Sequence, residues 1–182
     1  LGALNGGSNS HASAISADGT VIVGFATDGA DNSVRAYRWT TETGMVSLDA
    51  LNNGIRSGDY DVSANGAVIV GDQNSRAFRW TDASGMVNLG SLGSRAYSSA
   101  RGVSADGSVV VGFATDYSTD DTWRAFRWTQ ATGMISVEDW LRSEGVVVTQ
   151  DFTASASGVS ADGNVVVGDT QDSAFIARVV RK

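Results

Sequence analysis

The chain has 182 residues, with 13 Lys and Arg against 20 Asp and Glu, for a net charge of −7. That balance excludes the basic stripe needed to follow nucleic-acid phosphates and disfavours an anionic membrane surface. Hydrophobic residues make up 42% without ever running long enough for a membrane-spanning helix, and Cys and Pro are absent, so disulfides play no part in stability.

Leu1-Gly2-Ala3-Leu4 opens the chain already inside a repeat unit, so the sequence reads as a mature or excised fragment without a signal peptide. The first full unit is anchored by Ser16-Ala17-Asp18-Gly19 and Val21-Ile22-Val23-Gly24. It returns as Ser63-Ala64-Asn65-Gly66 with Val68-Ile69-Val70-Gly71, then as Ser104-Ala105-Asp106-Gly107 with Val109-Val110-Val111-Gly112. The last copy is Ser160-Ala161-Asp162-Gly163 with Val165-Val166-Val167-Gly168. The closing glycines are 47, 41 and 56 residues apart.

Each unit predicts four short strands. The first ends at the Ser-Ala pair, and Asp-Gly or Asn-Gly is expected to supply the two positive-φ positions of a tight hairpin. The second is the unbroken Val/Ile run of a strand covered on both faces. The third is Arg35-Ala36-Tyr37-Arg38-Trp39-Thr40, repeated at 76–81 and 124–129, and the fourth begins at Met45, Met86 or Met134. A period of two puts Tyr37 and Trp39 on one face and Ala36 and Arg38 on the other. Bulk facing Ala suits sheets stacked face to face, with Trp39, Trp80 and Trp128 assigned to the core.

Two features depart from the repeat. Ser136 to Gly145 reads as a short helix, with Ser as N-cap, acids in the first turn and Gly at the end. The connections between second and third strands alternate: 26–34 and 114–123 are long and acidic, while Gln73-Asn74-Ser75 is short. The last unit stops after its third strand, Ser173 to Arg178, and Leu1-Gly2-Ala3-Leu4 matches Leu89-Gly90-Ser91-Leu92. The N-terminal segment is therefore expected to complete the final sheet. The predicted fold is all-β: a small four-bladed β-propeller closed by the N-terminal strand, with an elongated β-solenoid as the alternative. Blade 1 spans about 8–51, blade 2 about 57–92 and blade 3 about 96–141 with helix 136–144. Blade 4 spans about 152–182 plus strand 1–4. In such a ring, expected to be monomeric, the two long loops would face each other as lips of one groove.

The Ser-Ala-Asp-Gly-x-Val-Val-Val-Gly segment, the Ala-Phe-Arg-Trp-Thr strand and the Gly-Met-x-x-Leu-Gly-x-Leu-Gly segment together resemble the HAF family of bacterial extracellular repeats, found in autotransporter passenger regions. The likeness covers nearly the whole chain, and Trp140 to Val180 resembles the close of such a passenger. It implies a secreted or outer-membrane setting in a Gram-negative bacterium, with any membrane contact made through a C-terminal barrel outside this sequence. It implies no activity. The Ser-Ala-Asp-Gly turn is also similar to the Ser-Pro-Asp-Gly turn of several propeller repeats, by analogy only.

Catalytic signals are sparse. His11 is the sole histidine, which excludes a His-rich zinc site, and no nucleophile elbow, P-loop or dinucleotide fingerprint occurs. Asp28 and Asp31 in one long loop, and Asp116, Asp120 and Asp121 in the other, offer hard oxygen ligands for Ca²⁺ or a carboxylate pair, although solvated acidic loops are the commoner outcome. Asp18, Asn65, Asp106 and Asp162 are turn residues. Tyr117 and Trp123 lie outside the repeat pattern beside acids and Ser/Thr, as sugar-stacking aromatics do. The expected function is a non-enzymatic interaction module, without a required cofactor, that binds a host protein or glycan through the long-loop face. The alternatives are a structural passenger spacer and a glycan-active enzyme using Asp116, Asp120 or Asp121.

Overall fold

A computed structural model describes residues 1–48, 60–93, 97–116, 122–149 and 152–179. Blade 1 is β1 (Ser10–Ile15), β2 (Ile22–Thr27), β3 (Val34–Thr40) and β4 (Gly44–Ser47). Blade 2 is β5 (Asp61–Val62), β6 (Ile69–Gln73), β7 (Arg76–Thr81) and β8 (Gly85–Asn88). Blade 3 is β9 (Ser98–Val103), β10 (Val109–Asp116), β11 (Thr122–Thr129) and β12 (Gly133–Ser136), followed by α1 (Val137–Ser143). Blade 4 is β13 (Ser155–Val159), β14 (Val165–Asp169) and β15 (Ala174–Arg178). Every sheet is an antiparallel meander in chain order.

The turn that starts each unit is built differently from the expectation. Only its glycine is left-handed, with φ of 76° at Gly19, 70° at Gly66, 74° at Gly107 and 73° at Gly163. The preceding Asp or Asn keeps negative φ because its side chain serves the turn. In blade 3, Asp106 Oδ1 accepts from the Ser104 hydroxyl at 2.7 Å and from the Ser108 N–H at 3.0 Å. The Ser104 hydroxyl oxygen accepts from the Val109 N–H at 3.0 Å, and the Gly107 N–H closes a four-residue turn onto Ser104 O at 2.9 Å. Side chains here satisfy backbone donors that the strands leave over.

The two faces of each sheet pack as the alternation requires. Val21, Val23 and Ala36 of blade 1 enclose Ile69 and Phe78 of blade 2, with Trp80 against them. Val68, Val70 and Ala77 of blade 2 meet Val110, Phe126 and Trp128 of blade 3. Val109, Val111 and Ala125 of blade 3 meet Val166, Phe175 and Ala177 of blade 4, with α1 sealing the seam through Val137, Trp140 and Leu141. The aromatic side of one blade fills space left by Ala on the last, while the tryptophans themselves are half-buried.

Helix α1 has the predicted cap: Ser136 Oγ accepts from the Asp139 N–H at 3.0 Å. Its Glu138 is fully buried and accepts from the Phe152 N–H at 3.0 Å, the Thr153 N–H at 2.7 Å and the Thr153 hydroxyl at 2.7 Å. This carboxylate steers the chain from the helix into blade 4.

The blades stand around a common axis, not along an elongated solenoid. Ser13, Tyr60, Arg101 and Ser157, one residue from the same repeat position in each blade, line one central cavity of about 580 Å³ with His11 and Ala12. The N-terminal segment, however, does not close the ring. Leu4 bridges Asp28 of blade 1 and packs on Ala26 and Tyr37, and the sheet of blade 4 has three strands among the described residues. The likeness to Leu89–Leu92 is real but has another meaning. Gly2 and Gly90 share φ of 86°, and Ser10 Oγ donates to Gly2 O at 3.3 Å as Ser98 Oγ does to Gly90 O at 2.8 Å. Both segments lead into the blade that follows them, so residues 1–4 belong with blade 1 and not with blade 4.

Candidate functional site

Three of the inner strands carry a register shift that inserts one extra residue: Ser13 between Ala12 and Ala14, Arg101 opposite Val111/Gly112, and Ser157 between Ala156 and Gly158. A bulge re-aims the inserted side chain, and here all three line the axial cavity. Blade 3 alone places a cation there. The Arg101 guanidinium lies 4.5 Å from the centroid of Phe113, and its Nη1 donates to Ser155 Oγ at 3.1 Å.

Around Arg101 the start of blade 3 assembles an aromatic cluster. Tyr97 stacks on Phe113 at 5.6 Å, Trp123 leans on Phe113 at 4.8 Å, and Tyr97 meets Trp123 edge-on at 5.7 Å. Phe113 is buried while Trp123 is 50% exposed. Arg101, Phe113, Trp123, Ala154 and Ser155 line a cavity of about 320 Å³ where blades 3 and 4 meet. Arg101 lines this cavity and the axial one alike, so a single cation serves two adjoining recesses. A partly exposed indole on a supported ring, with a guanidinium beside it, can stack on an apolar ring face and pair with an anion.

The sequence-predicted residues separate. Trp123 is in this cluster. Asp28 and Asp31 are instead spent inside blade 1. Buried Asp28 pairs with Arg35 Nε at 2.9 Å and accepts from the Ala30 N–H at 2.9 Å and Asn5 Nδ2 at 3.0 Å. Asp31 accepts from the Ser33 hydroxyl at 2.6 Å and pairs with Arg35 Nη2 at 2.5 Å. The Ala30 N–H, then Asn5 and Arg35, hold the Asp28 carboxyl below its usual range, and Ser33 does so for Asp31. These carboxylates have little left to offer a ligand. Tyr117, Asp120 and Asp121 lie outside the described residues, and of Asp116 only its place at the end of β10 is described. Residues 117–121, the middle of the second lip of the expected groove, lie outside the described residues. Tyr97, Arg101, Phe113, Ala154 and Ser155 were not singled out from sequence. The signal present was Arg101 itself, at a repeat position where blades 1 and 4 carry Ser.

The axial cavity is otherwise mild. His11 stacks on Phe25 at 4.9 Å. Burial pushes the Tyr60 hydroxyl up, with Asp72 adding to the effect, and burial also raises the Asp61 carboxyl. Asp61 holds the seam by accepting from the Val62 N–H at 2.8 Å and the Val103 N–H at 2.9 Å. Among the described residues no group of three or more His, Asp or Glu is placed to hold a metal ion, and no helix is long and apolar enough to cross a membrane.

No family model and no curated protein matches the sequence. Among solved structures the chain is similar to TolB from Acinetobacter baumannii, at 17% identity and a TM-score of 0.55, over 91% of this chain and 38% of that one. It is also similar to the β-propeller domain of Cps50 (Swd1) from Myceliophteria thermophila, at 13% identity and a TM-score of 0.51, over 94% of this chain and 55% of that one. The chain thus spans well under two thirds of each. At these identities the likeness shows the β-propeller fold alone.

Proposed function

We propose that this chain is a non-enzymatic interaction module of the HAF repeat type, secreted or displayed on a Gram-negative cell surface, and that it binds a host glycan or protein through the long-hairpin end of blade 3. The carrying observation is Trp123, half-exposed on the Phe113–Tyr97 stack with Arg101 against the same ring. A sugar ring lies flat on such an indole, and an acidic sugar presents its carboxylate to the guanidinium. That chemistry favours an acidic glycan over a neutral one. Among the described residues the pocket is lined, besides the cation, by Phe113, Trp123, Ala154 and Ser155, a set suited to binding.

A glycan array that includes uronic- and sialic-acid structures, alongside a panel of host surface proteins, tests the proposal. Binding to an acidic glycan should weaken by roughly tenfold or more in Trp123→Ala, about the worth of one stacked ring, while circular dichroism stays unchanged and the melting point falls only by the loss of its contacts with Phe113 and Tyr97. Asp28→Asn should leave affinity unchanged. A blank array and panel would favour a passenger spacer without a ligand, and hydrolysis of a bound glycan would point to an enzyme.

A further inference from the structure

Blade 3 carries a second recess at the end remote from Trp123. The Ser104–Gly107 turn leads into β10 and the hairpin before Trp123 follows it, so turn and indole stand at opposite ends of the sheet. A cavity of about 560 Å³ opens at the turn end and crosses two seams. Arg79 and Asp106 line it between blades 2 and 3, Arg127, Asp162 and Asn164 line it between blades 3 and 4, and Trp128 and Gln130 of blade 3 lie in the middle.

Each seam sets a guanidinium on the turn of the next blade, one residue past an aspartate. Arg79 Nε donates to Gly107 O at 3.2 Å and Arg127 Nη2 to Gly163 O at 3.3 Å. Much of the polar capacity here is unspent. Among the described residues Arg79 makes no ion pair, and its Nη atoms make no hydrogen bond. Asp106 Oδ1 accepts three hydrogen bonds within its own turn while Oδ2 accepts none. The Trp128 indole N–H and the Gln130 side-chain amide have no partner among the described residues either. The turn itself does not need the charge. Blade 2 makes it with Asn65, and there Arg38 Nε makes no hydrogen bond. Asp106 and Asp162 are held down to about 2 by their turn hydroxyls and N–H groups, so both are anions at neutral pH.

We propose that this recess is a second binding site, separate from the Trp123 pocket, and that it takes a neutral oligosaccharide. Each seam contributes one cation and one anion, so a ligand of either net charge meets a like charge. A hydroxyl suits both, because it donates to a carboxylate and accepts from a guanidinium or an amide. Asp106 Oδ2 and the Arg79 Nη atoms take one pair of neighbouring hydroxyls, Asp162 and Asn164 take another, and Gln130 and the Trp128 N–H serve the stretch between. Packed sheets stand roughly 10 Å apart face to face, so the two stations call for a chain of sugars and not a single ring.

Heteronuclear NMR on the 182-residue chain tests the proposal, with cellotriose, maltotriose and triacetylchitotriose as probes at roughly 10 mM, where a millimolar site is nearly filled. At least one should shift the Gln130 and Asn164 side-chain amides and the Trp128 indole N–H while the Trp123 indole N–H stays in place, and should bind more tightly than its monosaccharide. The same trisaccharide with its C6 hydroxymethyl groups oxidised to carboxylates should leave those signals unmoved. Asp106→Asn keeps the turn that Asn65 makes in blade 2 but replaces the unspent acceptor with a donor, and affinity should fall roughly tenfold. Gln130→Ala alters an exposed side chain with no internal hydrogen bond and should cost roughly threefold. Circular dichroism should be unchanged in both; if Asp106→Asn disturbs it, Gln130→Ala decides. Silence of the three signals with every probe, an oxidised trisaccharide that moves them as strongly, or wild-type affinity in the deciding variant would each overturn the proposal.

Discussion

The seam between blades 2 and 3 and the free edge of blade 4 are written in nearly the same residues and have different fates. Val68, Val70 and Ala77 are buried against blade 3, whereas Val165 is half-buried and Val167 and Ala174 are exposed. Burial in a repeat protein is therefore a property of the neighbour and not of the residue pattern. The turn glycine has positive φ in every blade, but only within a seam does it also lie close against a valine.

That contrast is most sharply probed at the glycines. Gly107→Ala has to adopt positive φ and also drive its methyl into Val68, so it should cost roughly 2–5 kcal/mol. Gly19→Ala meets the same backbone strain in open space and should cost about 1–2 kcal/mol. Urea unfolding compares the two. Equal costs would mean that close glycine–valine contact contributes nothing and that the seam is held by the larger side chains alone. A second, smaller contrast comes from truncation. Val111→Ala removes two methyl groups from a fully buried site and should cost roughly 2 kcal/mol, against less than about 1 kcal/mol for Val167→Ala at the edge.

How much of this was legible in the sequence follows from what is local. The strands and the division of faces were readable because a period of two, recurring four times, says which residues share a side; Ala36 and Tyr37 do lie on opposite faces. Helix α1 was readable from its cap. Ring closure was not, because it depends on the rotation from blade to blade, and no single residue encodes that angle. Leu1–Leu4 matched Leu89–Leu92 in sequence and conformation, yet a match in conformation does not say which sheet a segment serves. The site was half legible. Trp123 stood out by leaving the pattern, but its partners Tyr97 and Phe113 look like ordinary strand residues until the sheet twists them together. Asp28 and Asp31 misled because acidity in a loop does not reveal an arginine waiting four to seven residues on, here Arg35.

The smallest expected effect concerns the charge in the turns, and blade 2 supplies its own control. Asp106 and Asp162 are held down to about 2, first by the hydroxyls of Ser104 and Ser160 and then by the groups of Ser108 and Asn164. Asp18 is lowered in the same way by Ser16 and Thr20. A carboxyl depressed on folding contributes stability above its unfolded value near 3.9, and that contribution is lost as the pH falls from about 4 towards 2. In blade 2, Asn65 Oδ1 accepts from the Ser63 hydroxyl at 2.9 Å and the Ala67 N–H at 3.1 Å without any charge, within an intact seam. The turn geometry therefore does not require a carboxylate. Changing Asp18, Asp106 and Asp162 together to Asn should lower the urea midpoint at pH 7 slightly, by the charge-assisted part of these contacts, and flatten its decline between pH 5 and pH 2.5. Half-buried Asp61, whose carboxyl is raised, works in the opposite direction and remains in both proteins, so it cancels in the difference. If the triple variant instead declines as steeply as the wild type, the acid sensitivity lies elsewhere, and the turn carboxylates act at the open edge and in the seams alike only as hydrogen-bond acceptors.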